Sequence, residues 1–132
     1  MVNIILIGSG THANACIDVI ETNKKYKVLY LVDKKKNQID NYKLILEKEF
    51  NKKEIKGKNL HISIGQIKTG NIRYEIFNFY KKRGCKFPKI ISKNSYVSKK
   101  SKIGEGTIIL HRSVVNRNSI IGKNCIINTG SI

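Results

Sequence analysis

The sequence predicts an α/β chain: a small Rossmann-like N-terminal domain followed by the first coils of a left-handed parallel β-helix. Three observations predict it. Residues 91–132 repeat in steps of six. An unbroken aliphatic run, Val2 to Ile7, leads into Gly8-Ser9-Gly10-Thr11-His12-Ala13. A second run, Lys27 to Val32, follows after the length of one helix and stops at Asp33.

The repeat is the most specific of the three. Its first slot holds Ile91, Val97, Ile103, Ile109, Val115, Ile121 and Ile127. Four residues after each come Ser95, Ser101, Thr107, Ser113, Ser119, Cys125 and Ser131. A period of six fits neither the roughly 3.6 residues of a helical turn nor the period of about 2 of a strand. It fits a coil of short flat sides joined at corners. The aliphatic faces a narrow core, and the small residue stands at the corner, where a larger side chain would collide with the coil above. Gly104, Gly122, Asn116 and Asn128 directly follow their aliphatic and suit tight backbone near a bend. An ordinary β-sandwich would give this spacing only by coincidence.

At three sides per turn, seven hexads make little more than two turns. Repeat folds need at least about three repeats and a capping element. A bare last coil would leave unpaired backbone and apolar core in water. The expectation from these residues is an incomplete chain, cut short within the β-helix.

Ahead of the repeat, Val2 to Ile7 has the continuous apolar character of a strand covered on both faces. A helix is predicted from the glycine turn to about Asn23, burying Ala13, Cys16, Ile17 and Ile20. Lys27 to Val32 completes a βαβ unit. Residues 34–59 are the least legible: Tyr42 to Ile45 reads as a short strand or a helical turn, and the Lys/Glu-rich stretch after it as surface. Leu60 to Ile64 is a third strand, ended by Gly65. Ile72, Ile76, Phe77, Phe79 and Tyr80 recur at helical spacing, giving a second helix from Asn71 to Arg83 with Gly84 as its stop. Pro88, the only proline, marks the hinge. The predicted domains are 1–86 and 87–132.

The chain carries 132 residues and a net charge of +17. Of its 26 basic residues 22 are Lys, spread through both halves with no interleaved aromatics to stack bases, which argues for a solvated lysine surface over specific nucleic-acid binding. The opening MVNIILIG lacks a basic leader and a cleavage site, so it reads as a buried strand, and no apolar run approaches the roughly 20 residues of a membrane span. A cytoplasmic location is expected. Cys16, Cys85 and Cys125 match no zinc or redox spacing, so a reduced compartment and no metal are expected.

The turn Gly8-Ser9-Gly10-Thr11-His12-Ala13 places free backbone N–H groups and a positive helix end around a small open space, as a phosphate cradle requires. Asp33 lies where a carboxylate accepts a hydrogen bond from a ribose or base, and Gly65 completes the same rim. Tight strand–helix turns also need glycine for packing alone, so both readings stand. His12 either contacts phosphate or sugar, or simply occupies the first helical turn. His61 is a structural or edge residue of its strand. His111 occupies an outward hexad slot and reads as a solvated corner histidine. No Ser-His-Asp or paired-carboxylate arrangement is evident.

Together the two halves resemble the bacterial sugar acetyltransferases, a family that includes sialic acid O-acetyltransferases and UDP-4-amino-sugar N-acetyltransferases. IILIGSGTHANACIDVIE is similar to the family's opening glycine motif, HISIGQIKTGNIR to its third-strand motif, and IGEGTIILHRSVVNRNSIIGKNCIINTGSI to the start of its β-helix. The resemblance implies an acetyl-CoA-dependent transferase, with a UDP-sugar or related amino sugar along Gly8, Gly10, Thr11, His12, Asp33 and Gly65. It further implies acetyl-CoA bound between subunits of a homotrimer and Asn128 beside the reacting amine or hydroxyl. The family's histidine base would fall a few residues past Ile132, so these residues alone are expected to be inactive. Thr11 departs from the glycine usual before the histidine. Rival readings are a sugar-nucleotide-binding or partner-association module without catalysis, and a NAD-dependent enzyme prompted by G-x-G-x-x-A.

Overall fold

The computed structural model describes residues 1–65 and 71–132. The opening aliphatic run forms β1 (Val2–Ile7), and the glycine turn leads into α1 (Thr11–Asn23). The helix buries Ala13, Cys16, Ile17 and Ile20 as their spacing predicts, and Val19 as well. β2 (Tyr26–Asp33) returns parallel to β1, pairing Val2 with Tyr26 and Ile7 with Val32 across one register shift at Ile4/Ile5.

The stretch the sequence leaves open contains β3 (Leu44–Leu46) and a single helical turn, α2 (Glu47–Phe50). It is not simply surface. Phe50 and Ile55 are completely buried among the lysines and glutamates that surround them in sequence, and Phe50 packs edge-on against Tyr30 at 6.2 Å. β4 (Leu60–Ile62) is shorter than expected, because only Ile5 to Ile7 of β1 offer it a partner. The four strands form one parallel sheet in the order β3-β2-β1-β4.

α3 (Asn71–Lys82) ends where expected, with Gly84 in the left-handed region at φ +84°. Its buried stripe is Arg73, Phe77 and Tyr80, whereas Ile72 and Phe79 are exposed. Residues 66–70, which carry the middle of the HISIGQIKTGNIR stretch, lie outside the described residues.

Parallel strands alternate their side chains between two covers. Ile4 and Leu6 pack under α1 in one cluster, and Ile5, Ile7, Val32, Leu60 and Ile62 pack with Phe50, Phe77 and Tyr80 in the other. The first cluster continues into Ile90, Ile108 and Leu110, so the sheet, α1 and the repeat share a core.

The repeat forms seven two-residue strands: β5 (Ile90–Ile91), β6 (Tyr96–Val97), β7 (Lys102–Ile103), β8 (Ile108–Ile109), β9 (Val114–Val115), β10 (Ile120–Ile121) and β11 (Ile126–Ile127). Each pairs in parallel with the strand three hexads away, Ile91 with Ile109 and Ile109 with Ile127, which closes a three-sided coil. The three ladders are β5-β8-β11, β6-β9 and β7-β10. Only the middle of the aliphatic column, Ile109 and Val115, is fully buried; Ile91, Val97, Ile103, Ile121 and Ile127 are half-buried at the two ends.

The corners differ from the expectation. The left-handed residue is neither the small one nor the one after the aliphatic. Gly106, Arg112, Asn118, Asn124 and Gly130 have φ of +75°, +61°, +70°, +52° and +78°, one in each of the last five hexads, immediately before the small residue. Glycine and asparagine tolerate that conformation with least strain, and they fill all but one of these slots. Gly104 is required for another reason. A Cβ there would stand 2.4 Å from the Gly122 carbonyl carbon in the coil above.

Candidate functional site

A cleft of about 860 Å³ opens at the carboxyl ends of β1, β2 and β4. Gly8, Gly10, Thr11, His12, Asp33 and Gly65 all line it, joined by residues of α3 including Ile72, Glu75, Ile76 and Tyr80. Six of the seven residues singled out from sequence thus face one space, in the crevice where open α/β sheets bind ligands. Asn128 does not. It is exposed on the last coil, where its carbonyl accepts hydrogen bonds from Ser113 Oγ at 2.8 Å and from the Ser131 amide at 3.1 Å.

The two opening glycines have different causes. Gly8 lies at φ +119°, and a Cβ on it would come within 2.6 Å of Ile64 Cγ1, so the fold itself demands glycine. Its amide donates to the Val32 carbonyl at 2.8 Å and its carbonyl accepts from Ser63 Oγ at 2.7 Å, locking the end of β1 between β2 and β4. Gly10 is the contrary case. It is extended, at φ −84° and ψ −161°, and a Cβ would meet nothing within 4 Å among the described residues. No packing explains the missing side chain; open space over the first turn of α1 is its effect. That turn has no side-chain cap and no acidic residue, so its positive end faces the cleft unneutralised.

Asp33 is engaged by the glycine loop itself. Its Oδ2 accepts from the Ser9 amide at 2.9 Å and from Ser9 Oγ at 2.6 Å, and its Oδ1 accepts from the Lys34 amide at 2.7 Å. The carboxylate therefore clamps the glycine loop, and Asn37 Nδ2 holds the Ser9 carbonyl from outside at 2.5 Å. Partial burial works against its charge, but the hydrogen bonds from Ser9, Lys34 and Lys35 outweigh it and hold the carboxyl below the usual carboxylate range.

Beneath the cleft lies a group that spacing could not disclose. His12 Nε2 sits 3.3 Å from Cys16 Sγ one helical turn on, and a ring nitrogen of His61 joins them within 4.8 Å. β4 pairs Leu6 with His61, which points that ring towards α1. His61 is sealed from solvent, and neither of its ring nitrogens has a hydrogen-bond partner among the described residues. Burial, then the Arg73 guanidinium, then His12 push its pKa down to about 3. Burial and then Arg73 lower His12 too, so both rings are neutral near pH 7, and burial drives the Cys16 thiol up to about 12.

Arg73 was missed from the sequence, although it falls on the same helical stripe as Phe77 and Tyr80. Its guanidinium donates to the carbonyls of Ile62 at 3.0 Å and Ile64, and to Asn124 O and Oδ1 at 3.0 and 2.9 Å. Asn124 Nδ2 returns a bond to the Arg73 carbonyl at 3.1 Å. The arginine thus fixes the end of β4, α3 and a β-helix corner to one another.

A second tie corrects the expectation that no Ser-His-Asp arrangement exists. Ser92 Oγ lies 2.5 Å from His111 Nδ1, and His111 Nε2 lies 2.9 Å from Asp18 Oδ2 on α1. His111 points outward from its coil but is held, not solvated. Ser92 is 1% exposed and its Oγ also accepts from the Asn94 amide at 3.1 Å, so it offers no surface to a substrate. The line joins the repeat to α1; it is not a nucleophile's triad.

The model of the PglD N-terminal domain family matches residues 3–78. The chain belongs to that family. No curated protein matches it. Among solved structures it is similar to the acetyltransferase domain of PglB from Neisseria gonorrhoeae FA1090, at TM-score 0.86 and 20% identity over 97% of this chain and 62% of that one. The same domain in complex with acetyl coenzyme A gives 0.86 and 21%. PerB from Caulobacter crescentus, in complex with CoA and GDP-perosamine, gives 0.83 and 22% over 97% of this chain and 60% of that one. The fold is theirs, and the chain spans about three-fifths of their length.

Proposed function

We propose that this chain is the nucleotide-sugar-binding part of an acetyl-CoA-dependent acetyltransferase of surface-glycan synthesis, acting on a nucleotide-activated amino sugar or a sialic-acid-like sugar. One observation carries the reading: the uncapped first turn of α1 opens at Gly10 into the cleft that Thr11, His12, Asp33 and Gly65 line. A diphosphate satisfies the free amides and the helix dipole, and neutral His12 is suited to hydrogen-bond a sugar or phosphate oxygen. The comparisons support the same choice of ligand, since PerB is described with GDP-perosamine and the PglB domain with acetyl coenzyme A.

In the reaction the sugar's amine or hydroxyl attacks the thioester carbonyl of acetyl-CoA, a base takes its proton, and the CoA thiolate leaves. Lys99, Arg112 and Arg117 are exposed on the coils and supply positive charge suited to the coenzyme's phosphates in a cytoplasmic homotrimer. None of the three histidines is placed as the base. His61 is sealed, His12 Nε2 faces Cys16, and His111 is held between Ser92 and Asp18. The 132 residues alone are therefore expected to bind the nucleotide sugar without transferring acetyl.

Isothermal calorimetry with UDP- and GDP-linked 4-amino sugars tests the binding. One saturable site for at least one of them is expected, and no heat with either would overturn the reading. Release of CoA thiol by the purified chain in the presence of an acceptor would contradict the expected inactivity.

A further inference from the structure

We propose that His12, Cys16 and His61 form a transition-metal site, suited to zinc or a comparably soft divalent cation, in the floor of the α/β domain. The donor set is two imidazoles and one thiol, which borderline and soft metals prefer over oxygen-seeking magnesium or calcium. Tetrahedral zinc with metal–sulfur and metal–nitrogen bonds of about 2.3 and 2.0–2.1 Å places its donors roughly 3.4–3.6 Å apart. Cys16 Sγ and His12 Nε2 already stand at 3.3 Å, and all three donor atoms lie within 4.8 Å of one another. A modest ring rotation closes the remainder.

His61 supplies the independent observation. A fully buried imidazole with both nitrogens unpartnered among the described residues leaves a donor and an acceptor without the hydrogen bonds that buried polar groups almost always have. Packing does not ask for it, since its parallel partner Leu6 shows that the same face of the sheet accepts aliphatics. A metal satisfies one of these nitrogens directly.

The scaffold is rigid at each donor. His12 and Cys16 are one turn apart on α1, and His61 is fixed by the pairing of β4 with β1. On binding, the Cys16 S–H bond breaks, its proton goes to solvent and sulfur donates its pair to the metal. The Arg73 guanidinium adds positive charge nearby that favours the thiolate and opposes the cation. Its own N–H groups are taken up by the carbonyls of Ile62, Ile64 and Asn124. His12 also lines the cleft, so a fourth ligand, water or a ligand oxygen, can enter from there.

The test is titration of the chelator-treated full chain with Co(II) and Zn(II). One equivalent of Co(II) is expected to give tetrahedral d–d bands and a thiolate-to-cobalt charge-transfer band, both removed by one equivalent of Zn(II). Cys16→Ala should lose the charge-transfer band, whereas Cys85→Ala and Cys125→Ser should keep it. Zinc-edge X-ray absorption on the unaltered chain needs no variant and should report one sulfur and two imidazoles. The site is refuted if neither metal binds at one equivalent, if the band survives in folded Cys16→Ala, or if the edge shows only oxygen and nitrogen. Nucleotide-sugar calorimetry in chelator is a separate readout, so this site and the proposed function can fail independently.

Discussion

Replacing Gly10 by Asp separates the ligand's need for an open helix end from the fold's. At φ −84° and ψ −161°, with nothing among the described residues within 4 Å of a built Cβ, the position accepts a Cβ without strain. Aspartate is a better N-cap than glycine by a few tenths of a kcal/mol. Its charge at the uncapped end of α1 adds roughly 0.3–1 kcal/mol, and loss of glycine's freedom in the unfolded chain adds about 0.4 or more. Gly10→Asp should therefore raise stability by about 1 kcal/mol, a Tm increase of roughly 3–5 °C for a chain of this size. The same carboxylate would stand where the diphosphate is placed. Two like charges about 4 Å apart repel by about 4 kcal/mol at an effective dielectric of 20, so after solvent screening at least about 2 kcal/mol, or roughly thirtyfold, should be lost from nucleotide-sugar affinity. Differential scanning fluorimetry and calorimetry on the same sample read both numbers. A variant that is more stable and still binds within threefold of the parent would refute the placement of the phosphates.

Two further predictions concern the fold. Because the pKa of His61 is about 3 when folded, against 6.5 ordinarily, the unfolded chain takes up a proton that the folded chain refuses. Its contribution is complete above pH 6.5 and is lost as pH falls, at about 1.4 kcal/mol per pH unit; lowered His12 acts in the same direction. In chelator, His61→Leu should be more stable by about 1–3 kcal/mol at pH 7, because no buried nitrogen is left unpartnered. Its loss of stability between pH 6.5 and 5 in urea titrations should also be shallower. Parallel slopes, or a less stable variant, would contradict this account of His61. At the corners, Gly104→Ala forces a methyl to 2.4 Å from backbone of the coil above and should cost about 1–3 kcal/mol or more. Gly122→Ala, whose Cβ would meet only Cys125 Sγ at 3.8 Å, should cost far less. Equal urea midpoints for the two would remove the stacking argument.

What the sequence disclosed was what local periodicity can carry. The aliphatic column from Ile91 to Ile127, the βαβ unit and the cleft rim at Gly8, Gly10, Asp33 and Gly65 all follow from spacing and strand ends. Phe50 and Ile55 were illegible because each is a lone anchor in a charged stretch, and a one-turn helix has no period to show. The left-handed corners left a trace, Gly106, Asn118, Asn124 and Gly130 at six-residue intervals, masked by Arg112 in the same slot. His12 and Cys16 stand four residues apart but read separately, one as a rim residue and one as helix packing, and His61 reaches them only through strand pairing. Asp33 bonded to Ser9, Arg73 bonded to Asn124, and His111 set between Ser92 and Asp18 are likewise products of tertiary placement.

The most direct measurement is a crystal structure of the unaltered chain with a UDP- or GDP-linked amino sugar. The account predicts the diphosphate at the amides of Gly10, Thr11 and His12, with the nucleoside passing along the Asp33 side of the cleft. A nucleotide bound elsewhere, with the first turn of α1 left bare, would contradict it.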